Sequence, residues 1–396
     1  MTRPPNPFQV TTLAQGEDFA DRTAEVALIR EVWETPGSKL VMYGDRRMGK
    51  TATMDVAAAE VRKGKRPVVI VNLATAVDPD AAVRRLLAAV YHAIGRTWKT
   101  VLQDLAATLR FRLSMTPNPD GTATPSLDLH LEPGAQVARP ALFTEALDAI
   151  EAELAKRKLT LGLGLDEFQR LLLWGGEDIE WALKASLERH RHISYVLAGC
   201  ARSLIEEMVT NRHRALWKAT GTLAVGPIPT DEFAAWIVAR SQASGIPLAD
   251  ATARSIIALA GPRTRDVVLL AGATWEYARA MGHGDPARAM DAYVETTAAL
   301  HERLWTTCND RERRILRALA ADPQLEPTST AARGRFHLGP PSTVSKAIKA
   351  LGDKELLARH AGRHHFDDPF FRRWIELNAL ADLEFLPRRL QDGAAT

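Results

Sequence analysis

Short β-branched apolar runs alternate along the first 225 residues with stretches whose apolar positions recur at helical spacing. Residues 40–43 (LVMY) and 67–73 (PVVIVNL) flank a helix-like stretch over 51–63 that closes on Gly64, and together they predict a βαβ unit. Two more runs, 159–165 (LTLGLGL) and 193–198 (ISYVLA), each follow helical patterning and precede polar residues, and 222–225 (TLAV) is a candidate fifth strand. Strands alternating with helices predict an α/β fold with a parallel sheet covered on both faces. Ligands of such sheets gather at the carboxyl ends of the strands.

The pattern changes twice. Leu109, Phe111, Leu113 and Met115 alternate with polar residues, and after TPNPDGTATPS so do Leu127, Leu129 and Leu131. Period two around an Asp-Gly signal predicts a β-hairpin inserted at about residues 108–132. Two roles stay open for it, a structural flap and a docking or oligomer contact. From 229 to 299 the spacing is helical throughout, broken at Gly245, Gly261-Pro262 and Gly282-His283-Gly284. Helical patterns at 310–321, 329–335 and 342–351 then precede a strand-turn-strand candidate, LLARHAGRHHFDD, an order that predicts a winged helix. The expected domains are a core over 1–228, a helical subdomain over 229–300 and a winged-helix domain over 301–396.

Composition narrows the classes. With 396 residues, 46% of them hydrophobic, the chain is long enough for a large core plus a smaller domain and is not a mainly disordered protein. A net charge of +3 leaves no global basic field for nucleic acid, and the surplus lies beyond residue 300, where 16 basic residues face 13 acidic ones. Two cysteines build neither a disulfide framework nor a four-thiolate zinc site, which suits a reducing, cytoplasmic setting. No apolar run approaches the roughly 18 residues that span a bilayer, and no basic-then-apolar leader opens the chain, so no membrane partner is expected.

The candidate chemistry begins at Gly44-Asp45-Arg46-Arg47-Met48-Gly49-Lys50-Thr51, which fits G-x-x-x-x-G-K-[ST] between a strand and a helix. Glycines let the loop curl until its amides converge on phosphate oxygens, and the following helix dipole favours the anion. Lys50 is expected to reach the β- and γ-phosphates of ATP and Thr51 to offer its hydroxyl to Mg²⁺. A hydrolase of this kind needs a carboxylate at a neighbouring strand end, and the run 159–165 ends in Asp166-Glu167. Asp166 is the expected metal partner, and Glu167 the group that polarises a water for attack on the γ-phosphate.

With Asn6-Pro7-Phe8, Phe19-x-Asp21-Arg22, GCARSLIEEM, GPIPTDEF and the closing Asp368-Pro369-Phe370-Phe371-x-x-Trp374-Ile375, the motifs GDRRMGKT and LDEFQRLL resemble archaeal-type P-loop ATPases of the AAA+/STAND group. The resemblance spans nearly the whole chain and implies an AAA+ core, a helical lid and a C-terminal winged helix. It implies a sensor group at Cys200 with Arg202 close behind, although a thiol is a weaker donor than the Ser, Thr or Asn usual there. It also implies a second sensor in Arg263 or Arg265, and a base-side pocket near Phe8, Phe19 and Arg22, for which apolar packing of both phenylalanines is an equal alternative. Arg212 and Arg214 have two readings, a finger offered to a neighbouring subunit or a basic helix end.

In the C-terminal module Val344, Ile348 and Leu351 share one helical face and leave Ser342, Ser345, Lys346 and Lys349 opposite. The hairpin adds Arg359 and Arg363, and residues 333–373 hold nine basic and four acidic residues, a candidate contact for double-stranded DNA that is also ordinary for a solvated surface. The expected function is an Mg²⁺-dependent ATPase acting as a nucleotide-driven switch, coupled to DNA or to self-association. The alternative is a nucleotide-bound regulatory or scaffold protein with protein partners and no turnover, and a small-molecule kinase is a distant third.

Overall fold

The computed structural model describes residues 5–8, 19–20, 22–94, 111–117, 123–129, 141–360 and 362–380. They fall into two compact units, one of residues 19–227 and one joining residues 5–8 to 228–380.

In the first unit helix α1 (Thr23–Glu34) precedes strand β1 (Lys39–Tyr43), α2 (Lys50–Lys63), β2 (Val68–Asn72) and α3 (Pro79–Ile94). Strands β3 (Phe111–Pro117) and β4 (Ala123–Leu129) lead to α4 (Leu142–Arg157), then β5 (Leu161–Asp166) and a 3-10 turn (Phe168–Leu171). That turn runs into α5 (Leu172–Arg189), followed by β6 (Ile193–Gly199), α6 (Arg202–Thr210) and β7 (Gly221–Ala224). The expected strands form one parallel sheet in the order β2-β5-β6-β1-β7. Strands β3 and β4 pair antiparallel in a sheet of their own, with Phe111 opposite Leu129 and Leu113 opposite Leu127. The Asp120-Gly121 turn, Leu109 and Leu131 lie outside the described residues.

The alternation in LGLGLD has a packing cause. Leu161, Leu163 and Leu165 enter the cluster that also holds Val41, Val69, Phe143, Leu147 and Tyr195. Gly162 and Gly164 face the other way, where the fully buried Trp33 of α1 lies on the strand; a Cβ on Gly162 would come within 3.0 Å of that indole. Strand β5 starts later than its apolar run because α4 ends in a left-handed residue, Lys158 (φ 56°), and Leu159 N–H donates back to Leu154 O at 3.0 Å.

The second unit carries α7 (Thr230–Ala243), α8 (Asp250–Ala260), α9 (Thr264–Met281), α10 (Pro286–Thr296) and α11 (Ala298–Thr306). These lead to α12 (Asp310–Ala321), α13 (Thr330–Arg335), α14 (Pro341–Asp353), the antiparallel pair β8 (Leu357–His360) and β9 (Arg363–Phe366), and α15 (Pro369–Asn378). A capping box starts α12, where Asn309 accepts from Glu312 N–H and Glu312 accepts from Asn309 N–H at 2.8 Å. Phe370 and Trp374 are buried, as their i, i+4 spacing predicts. Here the structure departs from the expected domains. Residues 5–8 belong with the helical subdomain, since Asn6 Nδ2 donates to Gly272 O at 3.1 Å and Phe8 meets Trp236 edge-on at 5.6 Å. The helical subdomain and the winged helix form one compact unit, and the chain passes between the units twice.

Candidate nucleotide site

Parallel register sets which residues meet at the carboxyl edge. Tyr43 pairs with Gly199, Asp166 with Ala198 and Asn72 with Asp166, so the residues after β1, β5 and β6 emerge side by side. The loop after β1 turns on two left-handed residues, Arg47 (φ 66°) and Gly49 (φ 90°), and Gly49 caps α2. At Gly44 the need is for space: an added Cβ would run into the carbonyl oxygen of Val225 just beyond β7.

Lys50 is buried and donates to Gly44 O and Asp45 O, both at 2.8 Å, so its ammonium lies within the curl of the loop. Burial pushes its pKa down, opposed by the carboxylates of Glu167, Asp166 and Asp45. Thr51 Oγ1 donates to Asp166 Oδ2 at 2.8 Å, which joins the loop directly to the end of β5. Asn72 Nδ2 donates to the same oxygen at 3.1 Å. Glu167, in the left-handed region (φ 58°), turns its carboxylate toward β6, where Cys200 Sγ donates to Oε2 at 2.9 Å and Gln169 Nε2 to the same oxygen at 2.5 Å. Arg46 Nε donates to Cys200 Sγ at 3.3 Å, and Arg202 lies 3.8 Å from Asp45. Burial raises the Cys200 thiol, and the Glu167 carboxylate adds to it, so the sulfur stays protonated and able to donate.

Asp166 is 2% exposed, and burial pushes its carboxyl above the ordinary value of 3.8, with the Thr51 bond opposing. A raised carboxyl pKa favours folding while the group is protonated, and that contribution is lost as pH rises through the raised value. Asp166→Asn is therefore expected to raise the melting temperature of nucleotide-free protein near pH 7, with the gain gone near about pH 4. Thermal melts of both proteins at the two pH values check this.

The structure thus brings Thr51 to Asp166, Cys200 to Glu167, Arg46 to Cys200 and Arg202 to Asp45. Arg22 takes a different place from the expected base pocket: its buried guanidinium donates to Met48 O at 2.7 Å and Gly226 O at 2.9 Å, bracing the back of the loop. Phe8 is 5% exposed, its ring covered by Trp236. Arg263, buried at the start of α9, is bound by Asp367 through both carboxylate and backbone oxygens, while Arg265 is exposed. Arg263→Ala is expected to destabilise the unit of the helical subdomain and winged helix by about 1–3 kcal/mol, read by denaturant unfolding followed through its tryptophans. Arg214 is held by Glu180 and by Glu207 at 3.3 Å, a structural tie rather than a free finger, whereas Arg212 is exposed. Asn72 and Gln169 were not anticipated. The first closes a continuous strand run and the second lies inside LDEFQRLL, so only their neighbours in space reveal them.

In the winged helix Val344, Ala347 and Leu351 are buried and Ile348 half-buried, which leaves Ser342, Ser345, Lys346 and Lys349 exposed on α14; Arg359 and Arg363 are exposed on the hairpin.

Comparison with known proteins agrees with this architecture. A family model described as a probable winged helix domain matches residues 299–377. The Walker-type ATPase PABY2304 of Pyrococcus abyssi is similar over 93% of this chain and 99% of its own, with a TM-score of 0.59 and 17% identity. The chain has the fold of a P-loop AAA+ ATPase with a C-terminal winged helix. The ORC2 protein of Aeropyrum pernix, solved in ADPNP-ADP complexes, covers 99% of both chains at a TM-score of 0.53 and 14% identity. The ORC1 protein of Aeropyrum pernix, solved in complex with DNA, covers 97% of both at 0.51 and 16%. No curated protein matches the chain. Among the described residues no helix is long and apolar enough to cross a membrane.

Proposed function

We propose that this protein binds ATP with Mg²⁺ at residues 44–51 and hydrolyses it with Glu167 as the base, the lid and winged helix responding to the nucleotide. The observation that carries the reading is the 2.8 Å bond from Thr51 to Asp166, which supports taking the loop over 44–51 and the acidic strand end as one site. The loop amides, the Lys50 ammonium and the dipole of α2 supply positive potential for a triphosphate. The two carbonyls that Lys50 now bonds are replaceable by phosphate oxygens.

The donor set suits Mg²⁺, a hard cation that takes few protein ligands and keeps most of its waters. Thr51 and Asp166 supply oxygens, with Asn72 beside them. When bound, the ion offsets phosphate charge. The chain's own contribution is positioning. Glu167 takes a proton from the attacking water as oxygen bonds to the γ-phosphorus and the bridging bond to ADP breaks. Cys200 and Arg46 link this carboxylate to the phosphate loop. Within this reading the core ends near residue 228, the lid runs to about 300 with residues 5–8 packed on it, and the winged helix follows in the same compact unit as the lid.

Duplex DNA is the proposed partner of the winged helix, on the exposed Ser342, Ser345, Lys346, Lys349, Arg359 and Arg363. The DNA complex of the structurally similar ORC1 protein supports this choice. Lys346→Glu with Lys349→Glu is expected to weaken duplex binding and to reduce the slope of log affinity against log salt by about 2, roughly 0.9 per lost phosphate contact. Fluorescence anisotropy across a salt series checks it; an unchanged slope removes DNA from the reading. The ATPase is tested by phosphate release with and without duplex, and tight ATP retention without release would favour the non-hydrolysing scaffold.

A further inference from the structure

We propose that Gln169 is a positioning residue for hydrolysis, acting through Glu167; this rests on the reading of Glu167 as the base. The side chain leaves the 3-10 turn after β5 and crosses to the end of β6, where Nε2 donates to Glu167 Oε2 at 2.5 Å and lies 3.7 Å from Cys200 Sγ. It has room because residue 199 is glycine: an added Cβ there would overlap Gln169 Oε1 and Ile205 Cδ1.

The amide has only one workable orientation. Turned over, it would set its carbonyl oxygen against a carboxylate oxygen with no proton between them. In the orientation present, Oε1 is buried with no hydrogen-bond partner. An apolar side chain of similar size would fill this space without the penalty of an orphaned buried acceptor. The donation to Glu167 is what the glutamine supplies and a hydrocarbon does not. Gln169 and Cys200 both donate to Oε2, so two donors on one oxygen hold the carboxylate in its place at the end of β6.

Gln169→Leu separates this role from a structural one. It removes the donor and the orphaned oxygen together, so the variant is expected to melt at or above the wild-type temperature while kcat falls about 10- to 100-fold and KM for ATP stays within a factor of about two. In a Glu167→Gln background the same substitution is expected to cost nothing further, since its effect passes through the lost carboxylate. A kcat for Gln169→Leu within about twofold of wild type, or an equal loss in both backgrounds, overturns the inference and leaves the ATPase reading standing. Wild-type release that is insensitive to Glu167→Gln overturns the ATPase reading, and this inference with it.

Discussion

Glu167→Gln is expected to slow phosphate release by about 10²–10⁴-fold while ATP remains bound. The amide keeps the shape and still accepts through its oxygen from Cys200 or Gln169, so the surrounding bonds at the end of β6 survive. What it loses is the capacity to take a proton from water. The phosphate loop, Lys50 and the Thr51–Asp166 pair are untouched, and binding draws on those groups. Single-turnover phosphate release beside equilibrium binding of a fluorescent ATP analogue separates the two effects. A variant that loses binding and release together would show that Glu167 serves the ground state and is not the base.

Lys50→Ala is expected to do the opposite, lowering ATP affinity and reducing kcat/KM by about 10²–10³-fold. The buried ammonium lies inside the curl of the loop, bonded to Gly44 O and Asp45 O and near Asp166, Glu167 and Asp45. Without it those acids face the incoming triphosphate with one positive charge fewer, in a site where burial already works against charged groups. Melting temperature decides whether the loss is local. A drop of more than a few degrees would mean that the ammonium holds the loop together, and a preserved melt that it holds the nucleotide.

Much of this was legible in the chain because periodicity and loop chemistry agree. The apolar runs at 40–43, 193–198 and 222–225 lie within one residue of strands β1, β6 and β7, and the Gly-rich octet stands between β1 and α2 where phosphate binding requires. Asp166-Glu167 stands out in the sequence because the pair ends an apolar run, and the structure buries that run as β5. Other features were hidden for physical reasons. Trp33 explains the glycines of β5, yet it lies more than a hundred residues earlier, and no local pattern connects them. Arg22 looked like a pocket residue beside Phe19, but its fork finds two carbonyls, Met48 O and Gly226 O, that only the fold brings together. Arg263 looked like a free lid cation, and Asp367, 104 positions later, claims it. Long-range polar partners leave no periodic trace, whereas one face of a helix or strand leaves a strong one.

The most direct measurement is a double-mutant cycle on Mg²⁺-dependent ATP affinity with Thr51→Ala, Asp166→Asn and the pair, repeated in EDTA. If the phosphate loop and the β5 end address one metal-bound triphosphate, the two substitutions couple by more than about 0.5 kcal/mol with Mg²⁺ and add without it. Plain additivity in both conditions would contradict a shared site.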